Sequence, residues 1–447
     1  MLKRLYKIFK PADPAGPLII PEREHQISER DISKNAARIV EQLKKAGFDA
    51  YLVGGCVRDL LLDGHPKDFD VATDATPEEV KKIFRSARII GRRFRIVHVR
   101  FGREITEVTT FRGHPGKTKP GADHTKSDKG MLLRDNVYGD IRSDALRRDF
   151  TVNALYYAPD NGAILDYAGG LEDLQKRQLR IIGDPNARYK EDPVRMLRAV
   201  RFAAKLGFSL TPETEAPIRE HAEYMADIPP ARRFEEVLKL FTSGYATAVL
   251  KQLEEYGLLT YLFPGAAACL QAGDTFSERL IYAMVTNTDK RIRSQKRVTP
   301  AFIYAAMLWP PLQNKIHTLM TEHKLNHHEA MQQAASGVVG EQLAYTAIPK
   351  RFLIPMREMW ALQQRLARRE GRRAYQTLEH PRFRAAYDFV LLREEAGEKL
   401  DGLGLWWTRF QDVDEDERET MIANLPQQKR PRRRRRKSGP ATPSDNA

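Results

Sequence analysis

The sequence predicts an α+β chain: an N-terminal part built on a mixed β-sheet, an all-helical neck and body, and a disordered basic tail. Three observations carry that reading. Apolar alternation of period two is confined to the residues before 185. Helical periodicity runs from Pro193 almost to Asp412. The last nineteen residues, 429–447, hold eight Lys or Arg against Asp445 alone, a net of +7. The expected segments are a mobile lead-in over 1–30, a head over 31–185, a neck over 186–245, a body over 246–415 and a tail over 416–447.

Taken in order, a helix is predicted over 32–46, where Ile39, Val40 and Leu43 share a stripe and Gly47 ends it. A strand follows at 50–53, then Gly54 and Gly55, then a helical stretch at 57–62. Phe69 and Val71 place Asp68 and Asp70 on a second strand. Thr76, Pro77 and Glu79 make a strong helix start. Residues 96–101 and 105–111 alternate like paired strands joined at Gly102 and Arg103. Residues 113–130, rich in Gly, Lys, Asp and Pro, read as a flexible excursion. Strand-like pieces return at 154–157 and 179–182.

Composition narrows the class. The 447 residues carry 74 Lys plus Arg against 59 Asp plus Glu, a net of +15, with 42% hydrophobic residues. That balance excludes wholesale disorder. No run of eighteen apolar residues exists, and Pro11, Pro14 and Pro17 interrupt the opening, so neither a spanning helix nor a secretory signal is expected. Two cysteines, Cys56 and Cys269, exclude a disulfide framework and a Cys-rich zinc site, and suit a reducing cytoplasm. Clustered arginines in the tail match phosphate geometry and favour nucleic-acid contact over a merely solubilising tail or a protease-sensitive remnant; weak peripheral contact with an anionic membrane surface is the other reading, and the tail alone does not separate the two.

Two glycines between a strand and a helix let backbone N–H groups approach a phosphate, and Arg58, one turn on, adds a charge. A tight turn is the plain alternative. Asp68 and Asp70, two residues apart on a strand, project from one face. Paired carboxylates there call for a cation, and Mg²⁺ suits them. Glu107 is a candidate third carboxylate, since an unpaired charge inside an apolar strand is expensive; pairing with an arginine is the alternative. Glu191, Arg195 and Arg198 share a helix face. They read either as a salt-bridged surface or, with Asp192, as readers of a base edge.

These motifs, with Arg147-Arg148-Asp149-Phe150-Thr151-Val152-Asn153 and Glu191-Asp192-Pro193-Val194-Arg195, resemble the polymerase-β nucleotidyltransferase superfamily. Within it they resemble the bacterial class of CCA-adding enzymes and poly(A) polymerases. Residues 89–98, the helical segments around Ile348 and His380, and the tail favour the polymerase branch. The resemblance implies a nucleotidyltransferase palm that adds AMP from ATP to RNA 3′ ends without a template, releasing pyrophosphate, in RNA processing and decay. It implies two Mg²⁺ ions on Asp68 and Asp70, with Glu107 nearer the attacking hydroxyl and Asp149 in the catalytic group. Gly54, Gly55 and Arg58 hold the triphosphate, and Arg148 and Asn153 line the nucleotide. Asp192 and Arg195 become the base readers, with Glu191 and Arg198 beside them. A carboxylate facing an amino group and an arginine facing a ring nitrogen accept A and C, and reject G and U. RNA-decay proteins are expected as possible partners. The alternatives are a CCA-adding tRNA nucleotidyltransferase and, from another class, a non-catalytic RNA-binding protein. Residues 365–373 are basic enough to follow an RNA backbone. His323, His327 and His328, with only Glu322 and Glu329 alongside, do not make a metal site, and Trp406-Trp407 reads as core.

Overall fold

The computed structural model describes residues 16–91, 95–113, 123–126 and 132–426. Strands β1 (Leu18–Ile20), β2 (Ala50–Val53), β3 (Asp70–Thr73), β4 (Arg88–Ile90), β5 (Ile96–Phe101) and β6 (Glu104–Thr110) are followed by the hairpin β7 (Asp123–Lys126) and β8 (Leu132–Asn136), then β9 (Leu155–Ala158) and β10 (Ala163–Asp166). Eight of them form one mixed sheet, in the order β1-β10-β9-β2-β3-β6-β5-β4. Its one parallel pair is β3 with β6. The α+β expectation holds.

The centre of the sheet forms where the sequence is most apolar. Leu52, Val53, Val71, Ala72 and Val108 are all at most 1% exposed, each burial of a Val or Leu side chain contributing about 1.5–3 kcal/mol. Helix α1 (Lys34–Lys45) lays Ile39, Val40 and Leu43 against it, capped by Ser33. Helix α2 (Gly55–Leu61) leaves β2 directly, and α3 (Pro77–Ile83) starts on the Thr76–Glu79 capping box. Strands β5 and β6 pair antiparallel, with His98 opposite Glu107.

Three expectations change. Residues 16–30 of the lead-in are built into the domain: β1 pairs with β10, Ile20 and Ile27 are buried, and the His25 ring donates to the Gly162 carbonyl at 2.7 Å. Strand β3 begins at Asp70, so Asp68 lies in the segment before it rather than on the strand. The excursion contains the β7–β8 pairing, while residues 114–122 and 127–131 lie outside the described residues.

Helix α4 (Ile141–Arg147) precedes β9, α5 (Gly170–Lys176) follows β10, and the helical region opens with α6 (Pro185–Glu191), α7 (Val194–Leu206), α8 (Pro212–Glu220) and α9 (Pro230–Phe241). The chain divides into two compact units, 1–352 and 353–447. The second unit has its own core of Leu366, Ala386, Tyr387, Trp407 and Phe410. Trp407 is core as expected, its indole N–H donating to Leu366 O at 3.0 Å. Trp406 stacks on Phe410 at 4.6 Å and carries Arg369 over its face at 5.2 Å. The helix Glu415–Ala423 occupies the start of the expected tail; residues 427–447, with the arginine run, lie outside the described residues. Among the described residues no helix is long and apolar enough to cross a membrane.

Candidate active site

The site grows from the end of β2. Gly54, the residue after it, has φ 80° and ψ −127°, a conformation open to glycine and strained for any L side chain. Its N–H donates to Leu155 O at 3.0 Å, which ties the turn to β9. A Cβ there would stand in ordinary contact with Arg148 Nη1, at 3.4 Å, which places the guanidinium beside the turn.

Asp70 is held next to this turn, because it is the register partner of Val53. Burial pushes its pKa up to about 6, Glu107 and Asp68 add repulsion, and Arg148 opposes them. Asp68 is exposed. Glu107 is on the outward face of β6, its side chain 48% exposed, and its partner is His98 at 3.3 Å. The inferred cost of burying Glu107 is therefore absent, and the arginine partner of the alternative reading is not found among the described residues. Among the described residues no three His, Cys, Asp or Glu side chains converge closely enough to hold a cation alone. An all-oxygen set of mutually repelling carboxylates nevertheless fits Mg²⁺, which fills its shell with water and substrate phosphates.

Asp149 is engaged by its protein neighbours. Arg198 Nε donates to its Oδ2 at 2.6 Å, while its Oδ1 accepts from the Phe150 N–H at 2.8 Å and from Asn153 Nδ2 at 3.2 Å. Asn153 Oδ1 in turn accepts from Arg58 Nη1. Arg58 is 2% exposed, donates to Asp59 Oδ1 through Nε at 2.8 Å and Nη2 at 2.6 Å, and lies over the Phe202 ring at 5.2 Å. The result is a polar chain, Asp59–Arg58–Asn153–Asp149–Arg198, running from α2 to α7. Asp149 is thus committed to Arg198, Asn153 and the Phe150 N–H, and Arg58 to Asp59 and Asn153.

This chain makes stability depend on pH. Burial works to raise the Asp149 pKa, but the Arg198 charge and the hydrogen bonds outweigh it and hold the carboxyl at about 2, below its ordinary 3.8. A depressed carboxylate stabilises the fold above the unfolded pKa and loses that contribution as pH falls through the folded one. Asp149→Asn is therefore expected to lower stability by about 2 kcal/mol at pH 5. The gap from wild type should close between about pH 4 and pH 2. Urea unfolding of both proteins across that range checks it; a gap independent of pH contradicts it.

At the α6–α7 junction, Glu191 Oε2 accepts from Arg188 Nη1 and Arg195 Nη1, both at 2.7 Å. The salt-bridge reading holds for Glu191. Asp192 is gripped through both oxygens by Arg232 of α9, at 2.8 Å each. Arg195 also donates through Nη1 to Arg188 O at 2.7 Å, and its Nε and Nη2 meet no protein acceptor among the described residues. Arg188 Nη2 reaches the carbonyls of Arg147 and Arg148 at 2.5 and 2.7 Å, joining α6 to the end of α4. Burial first, and then neighbouring arginines, draw the pKa of both Arg147 and Arg188 down to about 10. This corner carries surplus positive charge.

Three family models match: the poly A polymerase head domain over 50–180, the probable RNA and SrmB-binding site of polymerase A over 207–270, and the polymerase A arginine-rich C-terminus over 323–439. Poly(A) polymerase I of Escherichia coli O6:H1 (strain CFT073) is 49% identical over 94% of this chain and 91% of its own length. The chain belongs to the poly(A) polymerase family. A CCA-adding enzyme of Lactobacillus helveticus (strain DPC 4571) is 41% identical, but over only 47% of this chain and 50% of its own. The match to this CCA-adding enzyme therefore spans about half of each chain. A solved tRNA-processing enzyme in its apo form I has the same fold, with a TM-score of 0.54, 21% identity, and coverage of 89% of this chain and 98% of that one.

Within this poly(A) polymerase framework, the structure adds four residues that sequence reading did not single out: Asp144, Tyr156, Arg188 and Arg232. Arg188 and Arg232 were visible only as members of a basic majority. Asp144 lies one turn before Arg148, an i,i+4 spacing that could have suggested it. Nothing local marks Tyr156.

Proposed function

We propose that this chain, a polynucleotide adenylyltransferase, uses the corner between Gly54, Arg148 and Asp70 to transfer AMP from ATP to RNA 3′ ends. The observation that carries this is the register of β2 with β3, which sets a carboxylate cluster beside a glycine turn and a cation. Negative charge beside a phosphate cradle serves no simple anion binder; it suits a site that binds phosphates through a cation. The RNA 3′-OH gives up its proton to solvent as its oxygen forms a bond to the α-phosphorus of ATP, the bond from that phosphorus to the α,β-bridging oxygen breaks, and pyrophosphate leaves with the electron pair. Asp68 and Asp70 would hold two Mg²⁺ ions, with Glu107 on the hydroxyl side. Such ions, when bound, would ease deprotonation of the attacking hydroxyl and neutralise charge on the leaving group. The backbone at Gly54 and Gly55, with Arg148, orients the triphosphate. Arg58, Asn153, Asp149 and Arg198 act as a strut that fixes the turn relative to the neck.

Base choice falls to Arg195. Its remaining N–H groups suit the ring-nitrogen acceptor of adenine or cytosine and oppose the ring N–H of guanine or uracil. Asp192, committed to Arg232, is not free to take the amino group that both A and C offer, a loss equal for the two bases; the preference for ATP over CTP rests on the poly(A) polymerase relatives. RNA follows the basic helical surfaces, the setting is the cytoplasm, and RNA-decay proteins are fitting partners. Purified protein given Mg²⁺, a short RNA and each NTP separately tests the reading. Long ladders with ATP alone support it. Addition that stops after two C and one A on tRNA supports the CCA-adding alternative, and no extension supports an RNA-binding protein.

A further inference from the structure

Arg148 stands between the glycine turn and Asp70, and it is held from behind. Nε donates to Asp144 Oδ2 at 3.2 Å and to the Tyr156 hydroxyl at 3.1 Å, and Nη2 donates to Asp144 Oδ2 at 3.1 Å. The Tyr156 hydroxyl donates to that same oxygen at 2.6 Å, while Asp144 Oδ1 accepts from the Arg112 N–H at 3.0 Å. The guanidinium lies over the Tyr156 ring at 5.4 Å. Both anchors are buried, Tyr156 at 0% and Asp144 at 6%. Nη1 has no protein acceptor among the described residues and lies on the Gly54 side.

We propose that Asp144 and Tyr156 are positioning residues that lock Arg148 so that Nη1 meets a phosphate oxygen of the incoming nucleoside triphosphate beside Asp70. This rests on the reading of Arg148 as a nucleotide-lining residue. Two physical reasons support it. A free arginine side chain has many rotamers, and a donor fixed beforehand binds without losing that freedom at the moment of binding. An unclamped Arg148 would also be attracted to Asp70, whose charge it already feels. It would then occupy the phosphate position and neutralise a carboxylate meant for a cation. The buried Asp144 prevents that collapse, since it holds the guanidinium edge through two donors.

The test is a double-mutant cycle at saturating RNA, with ATP binding in the absence of RNA as a second readout. Tyr156→Phe, which keeps the ring in the core, is expected to raise the ATP KM about threefold to tenfold, and Asp144→Asn about tenfold to a hundredfold, with smaller changes in kcat. ATP affinity should weaken in parallel. Neither substitution should add a further loss in an Arg148→Ala background. Losses that add in that background overturn the proposal, because Asp144 and Tyr156 then act without Arg148. If Asp144→Asn fails to fold, the Tyr156→Phe pair decides alone. If Arg148→Ala leaves ATP binding and KM unchanged, the reading of Arg148 itself is wrong, and the clamp has no function.

Discussion

Asp70→Ala is expected to lower AMP incorporation by about a thousandfold or more, equivalent to about 4 kcal/mol of transition-state stabilisation. Asp70 is the member of the carboxylate cluster fixed by the sheet itself, as the first residue of β3 and the partner of Val53. Asp68, in the exposed segment before the strand, has no such constraint and should be somewhat more tolerant. The fold should survive the change. At neutral pH the Asp70 carboxylate is held charged against burial and against Glu107 and Asp68, so removing it relieves repulsion. Circular dichroism and thermal melting without divalent cation should therefore show an unchanged or higher midpoint. Normal tailing by a folded Asp70→Ala protein would sink the assignment of the cluster.

Arg232→Ala should shift base choice towards the bases that carry an amino group on the pairing edge. Removing the guanidinium takes away the two 2.8 Å contacts with Asp192, while its Oδ1 keeps the Val194 N–H at 3.3 Å. The carboxylate then gains capacity to accept from an exocyclic amino group, which adenine and cytosine offer where guanine and uracil present a carbonyl. The ratio of kcat/KM for ATP and CTP together over GTP and UTP is expected to rise about tenfold, the effect of roughly 1.4 kcal/mol of differential binding. Stability should also fall, by less than the about 3–5 kcal/mol of a fully buried broken pair, since Arg232 is 25% exposed. In selectivity, Arg232→Lys should fall between wild type and Arg232→Ala, limited by the loss of the bidentate fork. Equal losses for all four NTPs would mean that the pair supports the fold alone.

What the sequence made legible was local. The glycines between β2 and α2, the Thr76 capping box, and the β5–β6 pairing each depend on residues a few positions apart, and each forms as expected. The short strands β1, β4 and β10 were not legible, because three or four residues are too few to establish a period. Strand alternation located Glu107 on β6 but could not say which face was outward, and the inferred burial cost went wrong on that point. Side-chain partners were the least legible. Asp192 meets Arg232 forty residues on, Asp149 meets Arg198 forty-nine on, and Arg58 meets Asn153 ninety-five on. Such pairs are set by how helices and strands pack, and no local spacing encodes them. Hence Asp149 was expected in the catalytic group and Arg58 at the triphosphate, while the partners the structure gives them, Arg198 and Asn153, were not foreseen.

Transfer at this site is tested most directly with Mg²⁺, ATP labelled at the α-phosphate, and two versions of one short RNA, one ending in a free 3′-OH and the other in a 3′-deoxynucleotide. The expected result is a labelled ladder on the 3′-OH RNA only, one pyrophosphate released per AMP added, and none of either from the Asp70→Ala protein. A ladder of equal length from Asp70→Ala, or equal labelling of the RNA that lacks the hydroxyl, would contradict nucleotidyl transfer to a 3′ end at the Gly54–Arg148–Asp70 corner.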